Sequence, residues 1–241
     1  MDYSQFYGFF SSSIEKNGLK QLSNEQVESF YKFSDFLLTV NQTTNLTAIR
    51  NETDVITKHF VDSLLAADYI PQCATVLDLG CGAGFPSIPL AIARPDLTLV
   101  ALDSTSKKIA FVNEAVNRLD LANLKAISGR AEDPVIMRRL GKFDVVTSRA
   151  VATLSILSEL CLPYVRVGGK FLPLKASKAE EEVSMARKGI LFLGGSEPVL
   201  HNRELVTDLA PEPRCIIEVD KLKETPKGYP RAYAAVLKKP L

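Results

Sequence analysis

Between Val76 and Pro86 the chain reads Val-Leu-Asp-Leu-Gly-Cys-Gly-Ala-Gly-Phe-Pro, an apolar run passing straight into three alternate glycines. A buried strand that turns sharply into a helix fits this order. Glycines remove side chains where backbone bends tightly or approaches a ligand, and proline suits the first position of a helix. A ligand at this turn is therefore expected. The surrounding pattern agrees, because from Thr75 onward short apolar runs alternate with amphipathic segments, the signature of βαβ units and a parallel sheet. Strands are predicted at 75–79, 98–103, 124–128, 143–148 and 170–175, with helices at 86–93, 106–119, 153–165 and 177–192. Ser106 is expected to cap its helix, and Glu114 and Arg118 to pair on its outer side. Gly168 and Gly169 are expected to end the 153–165 helix, and 215–219 with 232–238 to form an antiparallel pair at the sheet edge.

The first 70 residues read differently. Ser23 with Gln26 forms a capping box ahead of Val27, Phe30, Phe33, Phe36, Leu37 and Val40, which predicts a helix over 24–40. A second helix is expected over 53–67, capped by Asn51, with His59 and Asp62 on one face. The division is thus a helical cap over 1–70 and an α/β domain over 71–241. With 46% apolar and 24% charged residues in 241, the chain can bury a core without disulfides or a structural metal. The four cysteines form no CxxC pair and only His59 and His201 are present, so no zinc spacing exists. No spanning segment and no basic leader are visible, which predicts a cytoplasmic enzyme with no membrane contact. Charge is uneven: five Lys/Arg face nine acids in 1–70, whereas six face Glu224 alone in 221–241. Such a basic end suits a phosphate-bearing partner or merely a solubilising strand.

The chemistry is written at the strand ends. A dinucleotide site would carry a third fingerprint glycine where Phe85 stands, and Asp78 would repel a pyrophosphate. Beside the ammonium and sulfonium of S-adenosylmethionine (SAM) the same carboxylate is favourable. Asp103 stands at the end of the second strand, where an acid reaches ribose hydroxyls, and Gly129 to Asp133 follow the third, where an adenine edge would lie. The strand-end acids favour SAM over NAD. Arg149, at the end of the fourth strand, is a candidate for the SAM carboxylate or for guanine O6 and a phosphate, or else an ion-pair partner. Lys58 and His59 are weaker substrate-contact candidates, and Asn45, Asp62 and Ser63 are expected to order the cap. Tyr229 and Arg231 combine a stacking face with a cation, which fits an unpaired RNA base or a plain strand edge.

In order along the chain, NLTAI (45–49), HFVDSL (59–64), VLDLGCGAGFPSIPLAI (76–92), LDSTSKKIAFV (102–112), GRAE (129–132), FDVVTSRAVA (143–152), LPYVRVGGKFLPLK (162–175) and the closing YPRA and KKPL complete a series. The series resembles the class I SAM-dependent methyltransferases and, within them, the bacterial glucose-inhibited division protein B family. The resemblance implies a Rossmann-like fold with an antiparallel edge strand and a methyl transfer to N7 of one guanine of 16S ribosomal RNA near the decoding site. It further implies a small-ribosomal-subunit substrate and no obligate protein partner. With Asp78, Gly82 and Gly84 from the turn, the SAM-binding set is completed by Gly80, Phe85, Asp103, Ser104, Thr105, Ala131, Glu132 and Arg149, which the resemblance implies. Departures from the family pattern are Ser87 and the segment after Lys175, each where a glycine is usual, Cys81 where serine is frequent, and 232–237, which lacks a glycine and a proline. Guanine N7 carries a lone pair and no proton, so the reaction needs no general base, and no catalytic acid or base is assigned. Other readings are a SAM-dependent methyltransferase of a small molecule or protein, a non-catalytic SAM- or RNA-binding scaffold, and an NAD oxidoreductase.

Overall fold

A computed structural model describes residues 1–241. The N-terminal layer contains α1 (Tyr3–Lys16), capped by a box between Asp2 and Gln5, and α2 (Asn24–Thr44), capped by the Ser23–Gln26 box. The helix expected over 24–40 runs four residues further, and Asn45 ends it in the left-handed region at φ 49°. Next come α3 (Glu52–Asp54), a π-helical stretch over Val55–Val61 and α4 (Asp62–Leu64), which form one continuous run. Asn51 caps this run by accepting from the Asp54 amide at 2.8 Å. Its middle is wider than an α-helix, which a 3.6-residue pattern does not reveal.

Seven strands follow: β1 (Thr75–Leu79), β2 (Thr98–Asp103), β3 (Leu124–Ser128), β4 (Phe143–Arg149), β5 (Val165–Lys175), β6 (Val199–Leu205) and β7 (Glu212–Asp220). Their order is β3-β2-β1-β4-β5-β7-β6. The first five are parallel, β7 is antiparallel to β5, and β6 is antiparallel to β7. The helices are α5 (Ser87–Ala93), α6 (Ser106–Arg118), α7 (Pro134–Leu140), α8 (Leu154–Cys161), α9 (Ala179–Phe192) and α10 (Tyr233–Lys238).

Side chains alternate across β1, so Val76 and Leu77 enter different cores. One core joins a sheet face to α1, α2, the π-helical run, α5 and α6, and the other packs the opposite face against α8 and α9. The first is threaded by aromatic rings. Phe10 meets Phe30 at 4.8 Å, Phe33 stacks on Phe60 at 5.5 Å, and Phe33 lies 5.6 Å from Phe85 of the glycine turn. Each buried phenylalanine contributes about 2 kcal/mol by leaving water. The N-terminal helices are thereby fastened to the turn itself.

Four expectations are corrected. Residues 232–238 form no strand: 233–238 is α10, and the antiparallel edge is made by β7 and the unforeseen β6. An Ala-Ala-Val-Leu sequence serves a helix well, since alanine is its strongest former. Gly168 and Gly169 do not end a helix but lie inside β5, after α8 has closed in a 3-10 turn over Leu162–Tyr164. A Cβ on Gly169 would stand 2.5 Å from the Asp144 carbonyl, so the glycine admits β4 at a shift in pairing register. The residue preceding α6 is Thr105 rather than Ser106, and neither caps with its side chain. Pro86 occupies the position before α5 rather than its first turn.

Candidate functional site

Between β1 and β4 the connections change sides: α5 follows β1 on one face and α8 follows β4 on the other. In open α/β sheets ligands gather at the carboxyl ends of the strands beside such a switch. A cleft of about 170 Å³ opens there. Gly80 floors it, Asp103 and Ser104 border it at the end of β2, and Ala131 with Glu132 border it beyond β3. These five sequence-chosen residues come together. Leu79, Leu102, Leu160, Val151 and Tyr233 supply apolar lining. Tyr233 and Val151 were not foreseen, because helix α10 was expected as a strand and Val151 resembles any valine after a strand.

The three glycines answer to three constraints. All have positive φ, at 79°, 56° and 90° for Gly80, Gly82 and Gly84. A Cβ on Gly80 would come 2.4 Å from Val151, and one on Gly84 2.5 Å from Ile88 of α5. A Cβ on Gly82 would meet nothing within 4 Å. Gly82 therefore borders free space, whereas Gly84 serves the packing of α5. Asp103 fixes the turn by accepting from the Gly82 amide at 3.0 Å and from the Thr105 amide at 2.8 Å. Each carboxylate oxygen keeps a further lone pair for a ligand hydroxyl. Thr105 itself is exposed and outside the cleft. Tyr164 donates to the Ala131 carbonyl at 2.7 Å and Arg130 binds Glu132 at 2.5 Å, which order the segment after β3.

Asp78 lies beneath the turn, fully buried. Its Oδ2 accepts from the Ser87 amide at 3.2 Å and closely from the Ser87 hydroxyl, while Oδ1 has no partner. Burial pushes this carboxyl up to about 7, against the two Ser87 bonds that hold it down. An unpartnered buried oxygen of this kind is costly unless a ligand or proton answers it.

Phe85, Arg149, His59 and Lys58 gather elsewhere, between β4 and the cap. His59 stacks on Phe85 at 4.4 Å and 17°. Arg149 donates to Asp62 Oδ2 at 2.7 Å and to the Lys58 carbonyl at 2.9 Å. It also donates to His59 Nδ1 at 3.1 Å, so that nitrogen is the acceptor and Nε2 carries the proton it gives to Thr47 Oγ1 at 2.8 Å. Burial and then the Arg149 charge push the His59 imidazole down to about 3, leaving it neutral near pH 7. Asp62 takes a second guanidinium, Arg214 of β7, at 2.6 Å. Lys58 sits between Asp54 at 3.4 Å and Glu212 at 3.3 Å. Arg149 thus has the ion-pair role weighed for it above, and it does not line the cleft.

Tyr229 and Arg231 are also spent on the chain itself. The Arg231 amide, Nε and Nη2 all reach the buried Glu159 carboxylate, at 2.9, 2.8 and 2.6 Å. Tyr229 packs edge-on against Phe192 at 5.3 Å. Neither belongs to a strand edge; together they dock the tail on α8 and α9 so that Tyr233 faces the cleft. Arg130 lies over the Tyr233 ring at 4.9 Å.

Residues 26–205 match the family described as rRNA small subunit methyltransferase G, GidB. A protein of that name from Clostridium beijerinckii is 41% identical, covering 98% of this chain and 99% of its own. Another from Lachnoclostridium phytofermentans is 47% identical over 91% of each. Among solved structures, NSun6 from Pyrococcus horikoshii with SFG aligns at TM-score 0.53 and 15% identity, over 69% of this chain and 53% of that one. Trm5b from Pyrococcus abyssi aligns at 0.50 and 15% identity, over 69% and 49%. At such identities the likeness is one of fold, the class I methyltransferase sheet with its added antiparallel strands. With a continuous family match over most of its length and relatives above 40% identity across nearly all of it, the chain belongs to the rRNA small subunit methyltransferase G family.

Proposed function

We propose that the protein transfers a methyl group from SAM to N7 of a guanine in 16S ribosomal RNA of the small subunit, near the decoding site, in the cytoplasm. The observation that carries this reading is the buried Asp78 with its unanswered Oδ1 directly under a glycine turn open at Gly82. That pair fits a cationic, phosphate-free ligand. Asp103 suits the ribose hydroxyls, Ser104, Ala131 and Glu132 the nucleoside edge, and Leu102 with Leu160 the flat face of a base. When bound, SAM supplies an electrophilic methyl group on a sulfonium. The residues around the cleft orient the two reactants and keep the site dry, which suffices for a nucleophile that has no proton to lose. His59, neutral and bonded at both nitrogens, is not needed as a base.

RNA contact is supported by the tail. Lys227, Lys238 and Lys239 have no carboxylate within ion-pair reach and flank the helix that carries Tyr233, where unspent cations suit phosphates. No helix is long and apolar enough to cross a membrane. The test is methyl incorporation from labelled SAM into small subunits lacking the modification, with the product nucleoside mapped by mass spectrometry. N7-methylguanosine at one 16S position is expected. Labelled protein or metabolites with unlabelled RNA, or bound SAM without turnover, would overturn the reading.

A further inference from the structure

Ser87 is fully buried, and it spends both its amide and its hydroxyl on one oxygen of Asp78. A glycine there has only the amide to give, so the hydroxyl is an added donor to a buried acid whose other oxygen has none. Resting on the methyl-transfer reading above, we propose that Ser87 is a positioning residue that holds Asp78 available as the anion a cationic cofactor requires, so that binding releases a proton from this carboxyl to solvent.

The electrostatic surroundings of Asp78 are few. Arg149 of β4 favours its charged form, and Asp103 of β2 opposes it. The thiols of Cys81 in the turn and Cys161 on α8 are both pushed up by burial, so they stay neutral and add no charge. His59 is held down to about 3 and does not titrate near neutrality. Against these, burial lifts Asp78 to about 7, so that acid and anion are both present in the free protein near neutral pH. A hydroxyl donor bonds the anion more strongly than the neutral acid and so favours the charged form. Ser87 therefore sets how large the anionic share is before ligand arrives.

The experiment is calorimetric titration of the full-length protein with SAM between pH 6 and pH 9, in buffers of different ionisation enthalpy, which yields the number of protons exchanged. The wild type is expected to release about half a proton near pH 7, falling to none at pH 9. Ser87→Ala should release closer to one at pH 7 and bind about tenfold more weakly there for each unit by which Asp78 rises, recovering at pH 9. Asp78→Asn, which lacks the anion, should bind SAM more weakly at every pH, with no pH dependence and no proton exchanged at ligand concentrations that still saturate it. This isosteric variant keeps the carboxyl's part testable if Ser87→Ala does not fold. Wild-type binding without proton release, release that survives in Asp78→Asn, or an unchanged proton count in a folded Ser87→Ala overturns the proposal. A wild type that binds no SAM at any pH instead overturns the methyl-transfer reading on which it rests.

Discussion

Two regions at the same edge of the sheet use polar groups in opposite ways. Around the glycine turn, Asp78 Oδ1 has no partner and Gly82 borders empty space, so the backbone and its acids are left available. Between β4 and the cap, a distance of one strand away, every charge is answered: Arg149 by Asp62, Asp62 by Arg214, Lys58 by Asp54 and Glu212. The open region is built to receive something and the closed one to hold the N-terminal helices on. A cation at a strand end is therefore no sign of a ligand until its partners are known.

The largest effect that could break this contrast is expected at Arg149. Arg149→Ala leaves Asp62, 8% exposed at its side chain, with one guanidinium in place of two, and should cost about 3 kcal/mol in urea unfolding. A loss below about 1 kcal/mol would mean the closed region is not held by charge. Next is Gly82→Val, which should weaken binding of S-adenosylhomocysteine at least about a hundredfold by filling the one open glycine position, with only about 1–3 kcal/mol of backbone strain. Unchanged affinity would move the ligand away from the turn.

Acidity separates the regions by sign. His59 has a depressed folded value, so its contribution is present above the unfolded value of 6.5 and is lost as pH falls toward about 3. From pH 7 to pH 5 this costs about 2 kcal/mol. Asp78 has a raised value, so its contribution is present below 3.8 and is lost as pH rises through about 7. In urea titrations His59→Gln should flatten the acid-side loss of stability, and Asp78→Asn should flatten the opposite slope. Equal slopes in all three proteins would remove the distinction. The smallest effect is at the tail: Lys238→Ala with Lys239→Ala should leave stability within about 0.5 kcal/mol but make the salt dependence of RNA affinity shallower by about 1 to 2 in logarithmic slope. An unaltered slope would take the phosphates elsewhere.

Much of the open region was legible in the sequence, because glycines and strand-end acids have few other reasons to recur in that order. Asp103 could be placed by its spacing and the segment from Gly129 to Asp133 by its position after the third strand, whereas Ala131 itself was implied only by the family resemblance. The closed region was not, since nothing local tells Arg149 that its neighbours will be Asp62 from the cap and Lys58 from a π-helical run. The pairing of Arg231 was not legible for the same reason: its partner Glu159 is 72 residues away. The strand β6 escaped because Leu200, His201, Asn202 and Arg203 show little of the alternation that betrays a half-buried strand, and α10 because six residues are too few for a helical period.

The docking of the tail through Arg231 has a temporal consequence. A chain made from its amino end forms the glycine turn and both acids well before Tyr233 exists, yet the wall of the cleft is incomplete without that ring. The ring that completes the cleft wall is thus among the last parts of the chain to be made, so the cleft reaches its full lining only near the end of synthesis.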